Sequence, residues 1–293
     1  MKRKIAPVFR IIRLTFKGFK KDRCGQFAIT ISYFALLCAI PLAAIFAFVT
    51  TKIIGSSEPA FRSLNIFSDE FFIRLDPAFF DRVQDISLHF SDLGWFGLIG
   101  SFVGASFLFS NLIHAVNFIF KANYQKAFLY NRLMEYLIMF IIGIILLASL
   151  FITAIWTALH RSLAESAFIA DHVNPDLISL IDNFFLQYLL PFALAFLVFF
   201  AIYKFIPEVK VYTKSAVLAA LIASFLWEAF KRIFAFYIAH FSVIGAVLHR
   251  FVKGTLTSII FFLLWITISL CILFWGAELA FVLNERQHEK VIR

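Results

Sequence analysis

Residues 256–283 read LTSIIFFLLWITISLCILFWGAELAFVL, and within that stretch the one charged side chain is Glu278. A helix needs ~20 predominantly apolar residues to cross the hydrocarbon of a bilayer, and this run is longer than that. The surface helix of a soluble protein keeps a polar face for water, whereas apolar residues fill every face here. The stretch is therefore read as a membrane span. Working outward, five more runs have the same character: Phe27–Thr50, Trp95–Phe120, Leu133–Leu159, Phe185–Ile206 and Ser215–Phe241. Backbone amides find no water in a bilayer core, so such runs must be helices, and the alternating ten-residue pattern of a membrane barrel is absent. The fifth run is interrupted by Glu228, Lys231 and Arg232. The expected fold class is all-α: a polytopic integral membrane bundle of six transmembrane helices, with short amphipathic helices at its interfaces.

Composition agrees. Of 293 residues 62% are hydrophobic and 15% charged, Phe alone occurs 41 times, and the mean hydropathy is +0.88. A soluble domain is closer to half apolar and a quarter charged. The net charge of +9 would suit nucleic acid, but the basic residues gather at the edges of the spans, where they answer lipid head groups and set topology. No nucleic-acid partner is expected. Cys24, Cys38 and Cys271 lack paired spacing and read as reduced packing residues. The first span has no small-residue cleavage site after a short core and is read as retained rather than as a cleaved signal.

Orientation follows from the loops. With the N-terminus inside, segments 1–26, 121–132, 204–214 and 284–293 hold eighteen of the 27 Lys and Arg, against seven on the outer segments. The positive-inside rule then places both termini in the cytoplasm. The chain divides into a basic amphipathic cytoplasmic arm (1–26), a transmembrane domain (27–283) and a cytoplasmic tail (284–293). In the arm Arg10, Arg13, Lys17 and Lys20 recur at steps of three and four, with Phe9, Ile12, Phe16 and Phe19 on another side. That pattern suits a helix in the inner interface, serving as topology signal and anchor or as a lipid or partner site. In the long outer loop Asp76-Pro77 is a helix start, and Phe79, Phe80, Val83, Ile86 and Phe90 form one stripe behind it. Asn174-Pro175 repeats the start signal before the fourth span. No internal repeat is visible, so an inverted-repeat transporter fold has no support.

Ionisable groups inside a membrane are functional candidates, because each costs ~2.5–3.5 kcal/mol at mid-helix. Glu228, Lys231 and Arg232 share one face of the fifth span; they read equally as a structural ion pair or as part of a polar cavity, and the surplus cation favours an anionic ligand. Ser106, Ser110, His114 and Asn117 form a polar stripe on the second span, behind Gly100-x-x-x-Gly104, for helix packing or for a pathway lining. Glu278, near the cytoplasmic end of the sixth span, is expected to meet Lys204, Lys214 or the arm as a structural clamp. Pro41 and Pro191 permit kinks and read as hinges or as tolerated prolines. There is no HExxH, P-loop or dinucleotide fingerprint, and the seven histidines lack ligand spacing, so no metal, no cofactor and no enzymatic activity are expected. The loop Gly104-Ala105-Ser106-Phe107 lacks the second glycine of an intramembrane serine protease.

Several motifs in order resemble one family. Ala28-x-x-x-Ser32-Tyr33-Phe34-Ala35-Leu36 leads to Ile40-Pro41-Leu42. Tyr203-Lys204-Phe205-Ile206-Pro207 leads to Trp227-Glu228-x-x-Lys231 and on to Phe234, Tyr237, Phe241-Ser242 and Gly245-Ala246-Val247. The series closes on Trp275-Gly276-Ala277-Glu278-Leu279. In these the chain is similar to the YihY/virulence factor BrkB family of bacterial inner-membrane proteins. The resemblance implies six transmembrane helices in the cytoplasmic (inner) membrane. Some members carry a ribonuclease label, which the absence of a soluble catalytic domain, metal cluster or basic groove away from the membrane speaks against; others are suggested to move envelope lipid. The function expected here is a transporter or flippase-like protein for an amphiphilic, anionic envelope lipid or lipid precursor. The alternative is a non-transporting envelope scaffold. Expected partners are anionic membrane lipids, and a homo-oligomer is compatible with the sequence.

Overall fold

The computed structural model describes residues 2–38, 102–122, 189–241 and 255–292, with Leu133, Tyr136, Leu137, Phe140, Ile141 and Ile144 of the third run, all six of them helical. Pro41, most of the third run, and the surface helix expected after Asp76-Pro77 lie outside the described residues, as does the start at Asn174-Pro175. Besides those residues of the third run, the described part holds six helices, and among the described residues there is no strand: α1 (Lys2–Lys21), α2 (Cys24–Cys38), α3 (Phe102–Ile119), α4 (Leu190–Phe205), α5 (Thr213–Phe241) and α6 (Thr255–Ile292). Helix α3 and residues Ile259–Glu289 of α6 are long and apolar enough to cross a membrane, while α2 and α4 are shorter apolar helices within the described range. Large apolar side chains point outward along the bundle, among them Ile29, Leu37, Phe225 and Ile233. Small and polar residues are buried between the helices, among them Ala216, Ala219, Ala220, Ala223, Ser224, Ser32 and Asn117, together with large ones such as Tyr203 and Phe274. Hydrocarbon outside and close backbone contact inside is the pattern of a helical membrane protein.

Two helix ends are closed by cations in a left-handed conformation. Arg23 (φ 53°) ends α1 and passes within two residues into α2. Lys121 (φ 52°) ends α3, where its N–H bonds Phe118 O at 3.1 Å and Ala122 N–H bonds Asn117 O at 3.0 Å. This is a Schellman closure with lysine where glycine is usual. At the start of α4, Pro191 follows Leu189, which sits in a π-helical turn. Pro191 lies in the first turn of α4, where its missing N–H costs no intrahelical bond.

Helix α5 packs between α4 and α6 through its alanine stripe, and α1 packs on α6. Tyr203 of α4 is fully buried, stacks on Phe199 at 6.0 Å and donates its hydroxyl to Leu273 O of α6 at 2.8 Å. That approach needs Gly276: a Cβ there would collide with the Tyr203 hydroxyl and lie 2.9 Å from Ala223 Cβ. Gly104 plays the expected close-approach role on α3, where a Cβ would meet Cys38 Sγ of α2 at 3.0 Å. All three cysteines are free, as read from their spacing. Ser32 of α2 accepts from Thr267 of α6 at 2.9 Å.

Residues 284–292, within the segment expected as a cytoplasmic tail, continue α6. At ~1.5 Å per residue the 38 residues of α6 reach well past a hydrocarbon core of ~30 Å. The overshoot is held by the turn between α4 and α5. Asn284 accepts from Tyr212 N–H at 2.8 Å and donates to Lys210 O at 3.1 Å, and Ser215 donates to Gln287 at 3.0 Å.

Gly276→Ala should destabilise the protein by ~1–3 kcal/mol through overpacking, less the ~1 kcal/mol that alanine gains over glycine in a helix. In a Tyr203→Phe background the cost should shrink, because the colliding oxygen is gone. Thermal unfolding of the four proteins in detergent reads this coupling; equal costs in both backgrounds would show that the contact does not set the spacing.

Candidate functional site

At the end of the bundle that carries α1, an open groove of about 810 Å³ runs between α1 and the extended end of α6. Its α1 wall is Arg10, Leu14, Lys17, Gly18 and Lys21, with Asp22 from the turn; its α6 wall is Glu278, Phe281, Val282, Glu285, Arg286 and Glu289; Lys121 enters from the end of α3. Spacings of three and four make each wall one helical stripe. Five cations and four acids line the groove, a volume within the range of small-ligand sites.

Glu278 forms the floor and is 1% exposed. Gly18 makes this possible: a Cβ at that position would strike the Glu278 carboxylate, with Cδ at 2.9 Å. The Asp22 carboxyl, also buried, lies beside Glu278. Cys24 Sγ approaches Glu278 Oε1 at 3.9 Å. Burial, and then the neighbouring Glu278 and Asp22, push the Cys24 thiol well above its usual range, so it stays a protonated donor. Lys121 holds its ammonium 4.5 Å from the Phe281 ring centroid, beside the same cluster. Of the three partners expected for Glu278 the arm is the one it meets, through Gly18 and Asp22 rather than through a cation. Lys204 instead donates to Val211 O at 2.5 Å, and Lys214 is exposed.

The face of α5 holds the expected pair. Lys231 Nζ stands 2.6 Å from Glu228 Oε1, with the side chains 13% and 14% exposed, in an ion pair whose angles fall outside hydrogen-bond geometry. Arg232 is exposed. Trp227, Phe230, Phe234 and Trp265 cluster beside this face at 5.0–6.1 Å between ring centroids. The stripe on α3 divides. Ser106 and Ser110 are half-buried, and His114 is exposed and meets Phe27 edge-on at 6.4 Å. Asn117 is buried and accepts from Glu208 N–H at 2.9 Å, so it anchors the α4–α5 turn. Its Nδ2, like Trp275 Nε1, has no partner among the described residues. The groove residues Gly18, Asp22, Lys121 and Arg286 were not singled out by sequence. The available signal was the one-face spacing of Glu278, Glu285 and Glu289, hidden by the division of α6 into span and tail.

Glu278→Gln keeps the shape of the floor under Gly18 and still accepts from Cys24, so its stability should stay within ~1 kcal/mol of the native protein. Glu278→Ala removes the partner and leaves a void, with an expected loss of ~2–4 kcal/mol. Melting in detergent separates the two; equal losses would show that α1 does not depend on this contact.

Comparison with known proteins follows the same residues. The family model described as virulence factor BrkB matches residues 15–292. A UPF0761 membrane protein of Acinetobacter baylyi is 26% identical over 284 residues, covering 97% of this chain and 64% of the relative, so that the chain spans under two thirds of that protein's length. One of Vibrio campbellii is 27% identical over 277 residues, covering 93% and 81%. One of Vibrio cholerae is 29% identical over 187 residues, covering 64% and 57%. No solved structure matches. The match runs from the middle of α1 to the last residue of α6, and the chain belongs to the virulence factor BrkB family of membrane proteins.

Proposed function

We propose that the protein is a transporter of flippase-like character for an anionic amphiphile, an envelope lipid or lipid precursor, in a bacterial inner membrane. In this reading it spans the membrane six times with both ends in the cytoplasm, and its role is not enzymatic. The observation that carries the proposal is the groove: Arg10, Lys17, Lys21, Lys121 and Arg286, with Asp22, Glu278, Glu285 and Glu289, border a cavity of about 810 Å³ at one end of a bundle whose outer surface is apolar. Such a site can take a phosphate head group from the adjacent leaflet while the acyl chains stay in hydrocarbon. The Glu228–Lys231 pair supplies a second charged station within α5, where a buried charge is costly unless it is used.

The scaffold reading draws on a different observation. Asn117, Asn284 and Gln287 tie the α4–α5 turn to α3 and α6, as a protein built to hold helices together would. Two variants separate the readings. A cationic side chain near an anionic surface contributes ~1 kcal/mol, so Lys17→Gln with Lys21→Gln should weaken acidic-lipid binding on the order of 30-fold. Lys231→Met should keep the fold and lose translocation of a labelled acidic lipid in proteoliposomes. Native mass spectrometry of the gently solubilised protein reads the first, and the dye-quenching time course reads the second. Retention of lipid and of translocation in both variants would leave the scaffold reading standing.

A further inference from the structure

Helix α1 has three unlike faces. Thr15, Gly18 and Asp22 sit on the bundle, with Thr15 fully buried and Gly18 against Glu278. Phe9, Ile12 and Phe16 point away from it, 68%, 40% and 52% exposed, and Phe16 touches the protein at Trp275 with 5.7 Å between ring centroids. Arg13 and Lys20 flank this uncovered strip on one side, and Lys2–Lys21 contains no acidic residue. An apolar strip bordered by cations alone favours burial against a surface that is apolar beneath and anionic above. The chain geometry brings such a surface close: Asp22 and Arg23 are the only residues between α1 and the apolar α2, so the C-terminal end of α1 is tied to the level at which α2 begins. A second copy of α1 is a poor occupant, because pairing the two strips would bring Arg13 and Lys20 of both copies together.

We propose that α1 is a docking strap that binds the anionic head-group layer of the leaflet on its side through Phe9, Ile12 and Phe16 with Arg13 and Lys20. Its opposite side is the wall of the groove and its seat is Glu278. The proposal stands independently of what the groove carries.

The full-length protein is placed in nanodiscs of phosphatidylglycerol or of phosphatidylcholine. An environment-sensitive dye is attached at Ile12→Cys, at Phe9→Cys or, on the groove side, at Lys21→Cys. Cys24 and Cys38 are buried and Cys271 half-buried, and the unsubstituted chain gives the background labelling. Brominated lipids then report contact. In phosphatidylglycerol the dye at positions 9 and 12 should be quenched at least several-fold more than at position 21. The difference should fall several-fold in phosphatidylcholine, in high salt, and in Arg13→Gln with Lys20→Gln, at an unchanged melting temperature. Equal quenching at 12 and 21 would overturn the docking. Equal quenching at position 12 in both lipids would overturn its dependence on anionic charge. Quenching at 12 that disappears as protein concentration rises would assign the strip to a second copy and overturn the proposal.

Discussion

The contact of the Tyr203 hydroxyl with the bare backbone at Gly276 sets the geometry of the described bundle. It brings α4 against α6, with Ala223 of α5 in the same contact, at a distance that no residue with a Cβ at position 276 would permit. Without a hydrophobic drive between helices in lipid, such close approach and its dispersion contacts supply most of the association. Two residues further along, Glu278 comes out on the other side of α6, and the seat of α1 is thereby determined. One close contact thus fixes both the core and the floor of the groove.

The opposite side of that helix shows why a carboxyl can be buried there. Gly18 removes the side chain that would otherwise occupy its space, and Cys24 adds a weak thiol donor. The cations of α1 do not neutralise Glu278. They line the groove beyond it, or flank the apolar strip on the far side of the helix. The same twenty residues can therefore serve as anchor, as seat and as groove wall because each role uses a different face.

Much of this was legible in the sequence. Apolar runs are a strong signal, and α2 through α6 fall on five of the six expected spans. Spacing offered Glu228 either Lys231 or Arg232 as a partner, and the structure pairs it with Lys231; the close approach at Gly104 was readable in the same way. Asn117 was placed in a stripe with Ser106, Ser110 and His114, but a helical stripe says nothing of what lies opposite, and the α4–α5 turn claims it. The closures at Arg23 and Lys121 carry no glycine or asparagine to announce them. The groove escaped because its walls belong to segments far apart in sequence: an arm read for lipid and a tail read as separate from its span. Hydropathy marks where a helix leaves the membrane, whereas α6 continues because Asn284 and Gln287 find partners beyond that point.

The most direct measurement is an experimental density map of the full protein in nanodiscs containing phosphatidylglycerol. The expected map shows α1 seated on Glu278 with Phe9, Ile12 and Phe16 in the head-group layer, and a phosphate-sized feature in the groove beside Lys17, Lys21 and Lys121. A map with α1 detached from α6, or with the groove empty and lipid phosphate bound beside Lys231 instead, would contradict it.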